Sequence, residues 1–165
     1  MKTVQLALLY FICLLGIMPI AASAQTYVIN GSEVTDPKTK LIWRRCAEGA
    51  AWDVTTATCR GNAKTFTHQG ALGLAAAQAT GTVVAWRLPN IKELSSIVDR
   101  SVKYPSIDTT AFPATPTDVF WSATPRVGEP LCTDCAWVVV FQNGYVGIDH
   151  RTNQSGYVRL VRDAP

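Results

Sequence analysis

Four cysteines constrain this chain more than any other feature, because an even number in an exported protein reads first as a disulfide framework. They are Cys46, Cys59, Cys132 and Cys135. Four cysteines allow three pairings. Cys46 with Cys59 and Cys132 with Cys135 is favoured because each bond closes a short loop. Two rivals keep the thiols free. Zinc could be bound by four thiolates, but C-x12-C and C-x2-C supply a single zinc-type knuckle, and an oxidising compartment opposes it. Cys132-Thr133-Asp134-Cys135 could be a redox pair, yet it lies between a Pro-Gly-rich loop and a strand, whereas a thioredoxin-like pair opens a helix that lowers the thiol pKa.

The export itself is read from the N-terminus. Met1 and Lys2 precede an apolar run from Leu6 to Ile20, and Ala22, Ser23 and Ala24 precede Gln25. This is the pattern of a signal peptide spanning residues 1–24, cleaved after Ala24 and taking Cys13 with it. Ile12 stands where lipidation needs a small residue, so Cys13 is not a lipoprotein cysteine. The apolar run is short for a span of about 20 residues, and no comparable run follows, so no membrane span is expected after cleavage. Residues 25–165 then form one domain of ordinary size. Loss of Lys2 takes Lys plus Arg from 15 to 14 against 12 acidic residues, a net charge of +2. That balance points to no nucleic-acid partner.

Along the chain, Tyr27 to Arg45 reads as an opening hairpin turning at Thr35–Thr39. Residues 47–64 form a cysteine-held loop. Thr67 introduces an alanine-rich helix to Ala79 with Leu72, Ala75, Ala76 and Ala79 on one face, weakened by Gly70 and Gly73. In Trp86-Arg87-Leu88-Pro89-Asn90-Ile91-Lys92-Glu93-Leu94, Asn90 and Glu93 make a capping box opening a second helix to about Asp99. The rest is strands: Phe120–Ala123, an apolar Trp137–Phe141 covered on both faces, a Gln142-Asn143-Gly144 turn, Tyr145–Asp149 and Tyr157–Arg162. Two helices early and an antiparallel sheet late is an α+β plan.

These strings, in this order, with Phe120-Trp121-Ser122, Ala136–Gly144, the ending Tyr157–Arg162 and the upstream Val34–Cys46, resemble the Lcl C-terminal domain family. The resemblance implies a C-type-lectin-like fold, shared with formylglycine-generating enzymes and the variable proteins of diversity-generating retroelements: two helices on a twisted antiparallel sheet, with close chain ends. It also implies an exported bacterial protein, periplasmic, secreted or at the cell surface, similar to an adhesin module for sulfated glycans. Gly70 follows Thr67 where the family often has a Thr-x-x-Glu cap. The Glu-Pro-Asn and Trp-Asn-Asp clusters of calcium-dependent lectins do not occur.

The expected activity is therefore non-catalytic recognition of a glycan or surface polymer, with no calcium, other metal or cofactor. The alternatives are an envelope assembly subunit that binds a protein partner, and a thiol-redox factor acting through Cys132 and Cys135. No nucleophile string anchors a triad with His68 or His150, and His68 in a first helical turn reads as a surface residue. Trp43, Trp86, Trp121 and Trp137 read as core, and Arg87 as a structural ion-pair former. Trp52, Tyr145 and Tyr157 are the aromatic candidates for sugar stacking. The expected ligand face is the late hairpin: Tyr145, Asp149, Arg151, Asn153 and Tyr157, around a gap left by Gly147 with Val146 and Ile148 turned inward.

Overall fold

A computed structural model describes residues 26–81, 84–128 and 132–165; the expected leader lies outside them. In chain order the elements are β1 (Val28–Asn30), β2 (Glu33–Asp36), β3 (Leu41–Arg44), β4 (Ala51–Asp53), β5 (Thr58–Arg60), β6 (Thr65–Phe66), α1 (His68–Gly81), α2 (Ile91–Ser96), β7 (Val119–Pro125), β8 (Cys135–Val140), β9 (Tyr145–His150), β10 (Gly156–Tyr157) and β11 (Val161–Asp163). The architecture is α+β and mostly sheet, with Cys46–Cys59 and Cys132–Cys135 bonded.

The strands form a four-stranded sheet ordered β1-β2-β3-β11, a five-stranded sheet ordered β6-β10-β7-β8-β9, and the β4–β5 hairpin. The closing segment, expected as one strand, therefore divides: Tyr157 joins the larger sheet, and Val161 pairs with Trp43 in the smaller. The pairing of β10 with β7 is parallel, an exception to the antiparallel plan.

Period-2 alternation explains how apolar strands serve two cores. Leu41 and Trp43 on β3, Phe120 on β7 and Val139 on β8 enter one cluster with Leu94 and Ile97. Ile42, Trp121, Ala136 and Val138 enter a second with Ala71 and Ala75 of α1. Strand β8 is thus covered on both faces, as its apolar run suggests. Trp137 is not a core residue: it is half-buried and belongs to neither cluster, because it stands opposite Ile148 near the free edge of the sheet.

Helix α2 starts where the capping box sets it. Asn90 Oδ1 accepts from the Glu93 N–H at 3.0 Å, and Glu93 Oε2 accepts from the Asn90 N–H at 2.8 Å. Glu93 also takes both Arg87 terminal nitrogens, at 2.7 and 2.9 Å, and this bonding holds the guanidinium pKa above its ordinary value. The helix stops at Ser96, short of Asp99. In α1 the buried face is His68, Ala71 and Ala75, while Leu72, Ala76 and Ala79 are exposed. Alanine on every side gives little directional drive, so the docking partners choose the face.

His68 is 1% exposed rather than on the surface. Its Nε2 lies 3.0 Å from the Ser122 carbonyl oxygen, its Nδ1 accepts from Arg151 Nε at 3.2 Å, and its ring meets Trp121 edge-on. A neutral ring protonated at Nε2 satisfies both bonds, and burial holds its pKa below 6.5. Arg159 is fully buried as well. It donates to the Arg44 and Arg45 carbonyls and to Thr115 Oγ1 and lies over Phe112, with burial pushing its pKa down to about 9. It thereby ties the end of β3 to the 110–115 segment.

Candidate functional site

The late hairpin places its five expected residues in different roles. Tyr145 is 62% exposed, but its ring lies where a Gly147 side chain would stand, so the expected gap is already filled by the protein. Asp149 is engaged locally: it accepts from the His150 N–H at 2.8 Å, Asn153 Nδ2 at 2.7 Å and Ser155 Oγ at 2.9 Å. These bonds brace the turn after β9. Arg151 turns inward to His68. Tyr157 is half-buried against Phe120, with ring centroids 5.5 Å apart. Val146 packs on the first core cluster, as alternation requires, but Ile148, expected inward with it, is half-buried and joins neither cluster, and Gly147 is buried beneath the Tyr145 ring.

A better-formed concavity lies at the other sheet. A cleft of about 290 Å³ is lined by Ser32, Glu33, Arg44, Glu48, Trp52 and Trp86, among others. Three constraints fix Trp52 there. Its hairpin is closed by Asp53, which accepts from the Thr55 N–H at 2.8 Å and pairs with Arg60 at 2.7 Å; the Thr55 N–H bond leads in lowering the Asp53 pKa. The Cys46–Cys59 bond ties the same hairpin to the end of β3. The third is Arg45, whose guanidinium carbon lies 3.9 Å from the Trp52 ring centroid. Arg45 cannot swing away, since its three nitrogens donate to the carbonyls of Ala111, Gly31 and Thr110 at 2.9, 2.9 and 2.7 Å.

The polar rim is equally ordered. Arg44 pairs with Glu48 at 2.9 Å and reaches Gln78 Oε1 at 2.7 Å, while Arg162 pairs with Glu33 at 2.6 Å. Both guanidiniums lie over the Trp86 ring, at 4.9 and 5.3 Å. The cleft therefore combines flat apolar surface with donors and acceptors held in place. Among these residues the sequence marks only Trp52 as a candidate. The further signal is the Arg44-Arg45-Cys46 run, which puts two planar cations beside a disulfide whose loop carries a tryptophan.

One more cluster joins residues far apart in sequence. The Cys132 and Cys135 sulfurs and a His150 ring nitrogen all lie within 4.8 Å of one another. No helix among the described residues is long and apolar enough to cross a membrane.

Fold and site together define a class: a disulfide-stabilised α+β domain that presents an ordered cleft of aromatic and ion-paired side chains. The particular family follows from the chain itself, since the Lcl C-terminal domain matches residues 32–162, and the protein belongs to that family. No curated protein and no solved structure matches the chain.

Proposed function

We propose that the protein is an exported bacterial binding module with a C-type-lectin-like fold, and that it recognises a glycan or related surface polymer without calcium, through the Trp52 cleft. The observation that carries this reading is the immobilised indole of Trp52 beside the Arg44–Glu48 and Arg162–Glu33 pairs. A sugar ring has an apolar face that stacks on an aromatic surface, and hydroxyls that both donate and accept. Side chains already fixed by their own partners lose little freedom when a ligand arrives. Each rim guanidinium is paired with a carboxylate, and Arg45 behind the indole is buried on backbone carbonyls, so the exposed rim suits a neutral sugar better than a polyanion. The same pairing argues against calcium, which needs six or more oxygens not already committed to arginine.

The test is a glycan array probed with the mature protein in calcium and in chelator. Binding to at least one glycan in both conditions is expected; binding that vanishes with chelator refutes the calcium-independent reading.

A second reading, assembly with an envelope protein, is favoured by β1. This strand lies at a sheet edge and exposes Val28 and Ile29, so a partner strand could add to it. Under that reading Val28→Lys with Ile29→Lys abolishes co-purification of a partner, and under the glycan reading it leaves array binding intact.

A further inference from the structure

We infer that Cys132, Cys135 and His150 form a redox-gated site for a thiophilic divalent cation: closed while the disulfide stands, and open to a Cys2His ligand set once it is reduced. The register of β8 on β9 pairs Cys135 directly with His150, so two strands carry the histidine to the cysteine loop. His150 Nδ1 lies 3.8 Å from Cys132 Sγ. A zinc ion with bonds of about 2.3 Å to sulfur and about 2.1 Å to nitrogen, at a tetrahedral angle, holds those atoms about 3.6 Å apart. The histidine therefore already stands at ligand distance from the first sulfur.

The C-x2-C spacing is that of a zinc knuckle, whose two sulfurs both reach one ion. The cysteine Cα atoms are 5.6 Å apart. On reduction the sulfurs part from bonding distance to non-bonded contact, which is the separation a tetrahedral ion needs.

The chemistry balances with a dithiol as reductant. Two electrons and two protons pass from the dithiol to the Cys132–Cys135 bond, giving two thiols and leaving the reductant as its own disulfide. The cation then displaces both thiol protons and takes the neutral His150 nitrogen as third ligand. Two thiolates neutralise a divalent charge, and a fourth position stays open to water or an exogenous ligand. Thr133 and Asp134 between the cysteines are exposed, as is His150, so the loop can be reached from solvent.

The experiment uses the mature protein reduced by a phosphine under nitrogen, freed of reductant and titrated with Co2+, then with Zn2+ in competition. One equivalent of Co2+ giving a thiolate-to-metal charge-transfer band is expected in the reduced protein and none in the oxidised. A Cys46→Ala/Cys59→Ala variant keeps the band, Cys132→Ser/Cys135→Ser loses it, and His150→Ala weakens Zn2+ by at least about tenfold. Far-UV circular dichroism accompanies each titration. The inference is overturned by absence of the band in the reduced protein, folded or not, or by a band that forms only on an unfolded chain. It is overturned equally if the band survives Cys132→Ser/Cys135→Ser, or if His150→Ala binds Zn2+ as tightly as wild type.

Discussion

Adding one methyl group at Gly156 should destabilise this domain more than most surface mutations can. Gly156 pairs with Phe66 in the larger sheet, and a Cβ there would fall on Nε1, Cδ1 and Cε2 of the Trp121 indole. Trp121 has nowhere to move. It is fully buried, its Nε1–H donates to the Phe66 carbonyl at 2.7 Å, and its ring packs against His68. Gly156 is not in the left-handed region, so the cost is steric rather than conformational. Overpacking a core costs about 1–3 kcal/mol and a lost indole hydrogen bond about 0.5–1.5. Against this, alanine restricts the unfolded chain and returns about 0.4–1 kcal/mol. The net loss for Gly156→Ala is about 0.5–4 kcal/mol, near 2 at the midpoints of these terms, or a fall in Tm on the order of 8 °C for a domain of this size. Gly147→Ala is the internal control. Its added carbon also meets an aromatic ring, but that ring is Tyr145, which is mostly exposed and free to swing, so the change should stay within about 0.5 kcal/mol. Guanidinium denaturation of both variants decides the matter. If Gly156→Ala is no less stable than Gly147→Ala, the packing described for Trp121 is wrong.

Trp121→Ala should cost about 3–5 kcal/mol, whereas Trp137→Ala, outside both clusters, should cost about 1–2; equal losses in denaturant titrations would contradict the placement of Trp137. His68 has its folded pKa depressed below 6.5, so the unfolded chain takes up the proton first and stability falls as pH drops below about 6.5. His68→Phe should flatten that acid limb in Tm-versus-pH profiles, and an unchanged slope would remove His68 as its cause. Glu93→Ala removes half of the capping box and the bidentate partner of Arg87 together, for about 2 kcal/mol by chemical denaturation, while Glu93→Gln should recover part of it.

Local signals in the sequence carried over into structure because local partners decide them. The Asn90–Glu93 box, the Arg87–Glu93 ion pair, the turn at Gly144 with φ 73° and the Cys132–Cys135 bond depend on residues a few positions apart, and even the Cys46–Cys59 bond spans a separation of only 13. What was not legible depends on distant partners. His68 looks like a surface residue until Ser122 and Arg151 supply its two hydrogen bonds from 54 and 83 residues away. The local hairpin and the Cys46–Cys59 bond place Trp52, but the cation that lies against its ring is fixed by distant partners, since Arg45 is anchored to the Thr110 and Ala111 carbonyls. On the late hairpin, alternation correctly turned Val146 inward. The fate of Asp149 was decided by Asn153 and Ser155 curling back to it, which strand periodicity does not encode.

The central claim is recognition through the Trp52 cleft, and one comparison tests it most directly. Wild type, Trp52→Ala and Asp149→Ala are applied to the same glycan array at matched folded fractions, checked by melting. A half-buried indole on a surface hairpin can be removed without unfolding the sheet core. Loss of the stacking platform should weaken binding at least about tenfold, since aromatic contacts of this kind contribute about 1–3 kcal/mol. Asp149→Ala, whose carboxylate is spent on its own turn, should bind as wild type does. Binding that persists in Trp52→Ala but disappears in Asp149→Ala, or no glycan bound by wild type at all, would contradict the account.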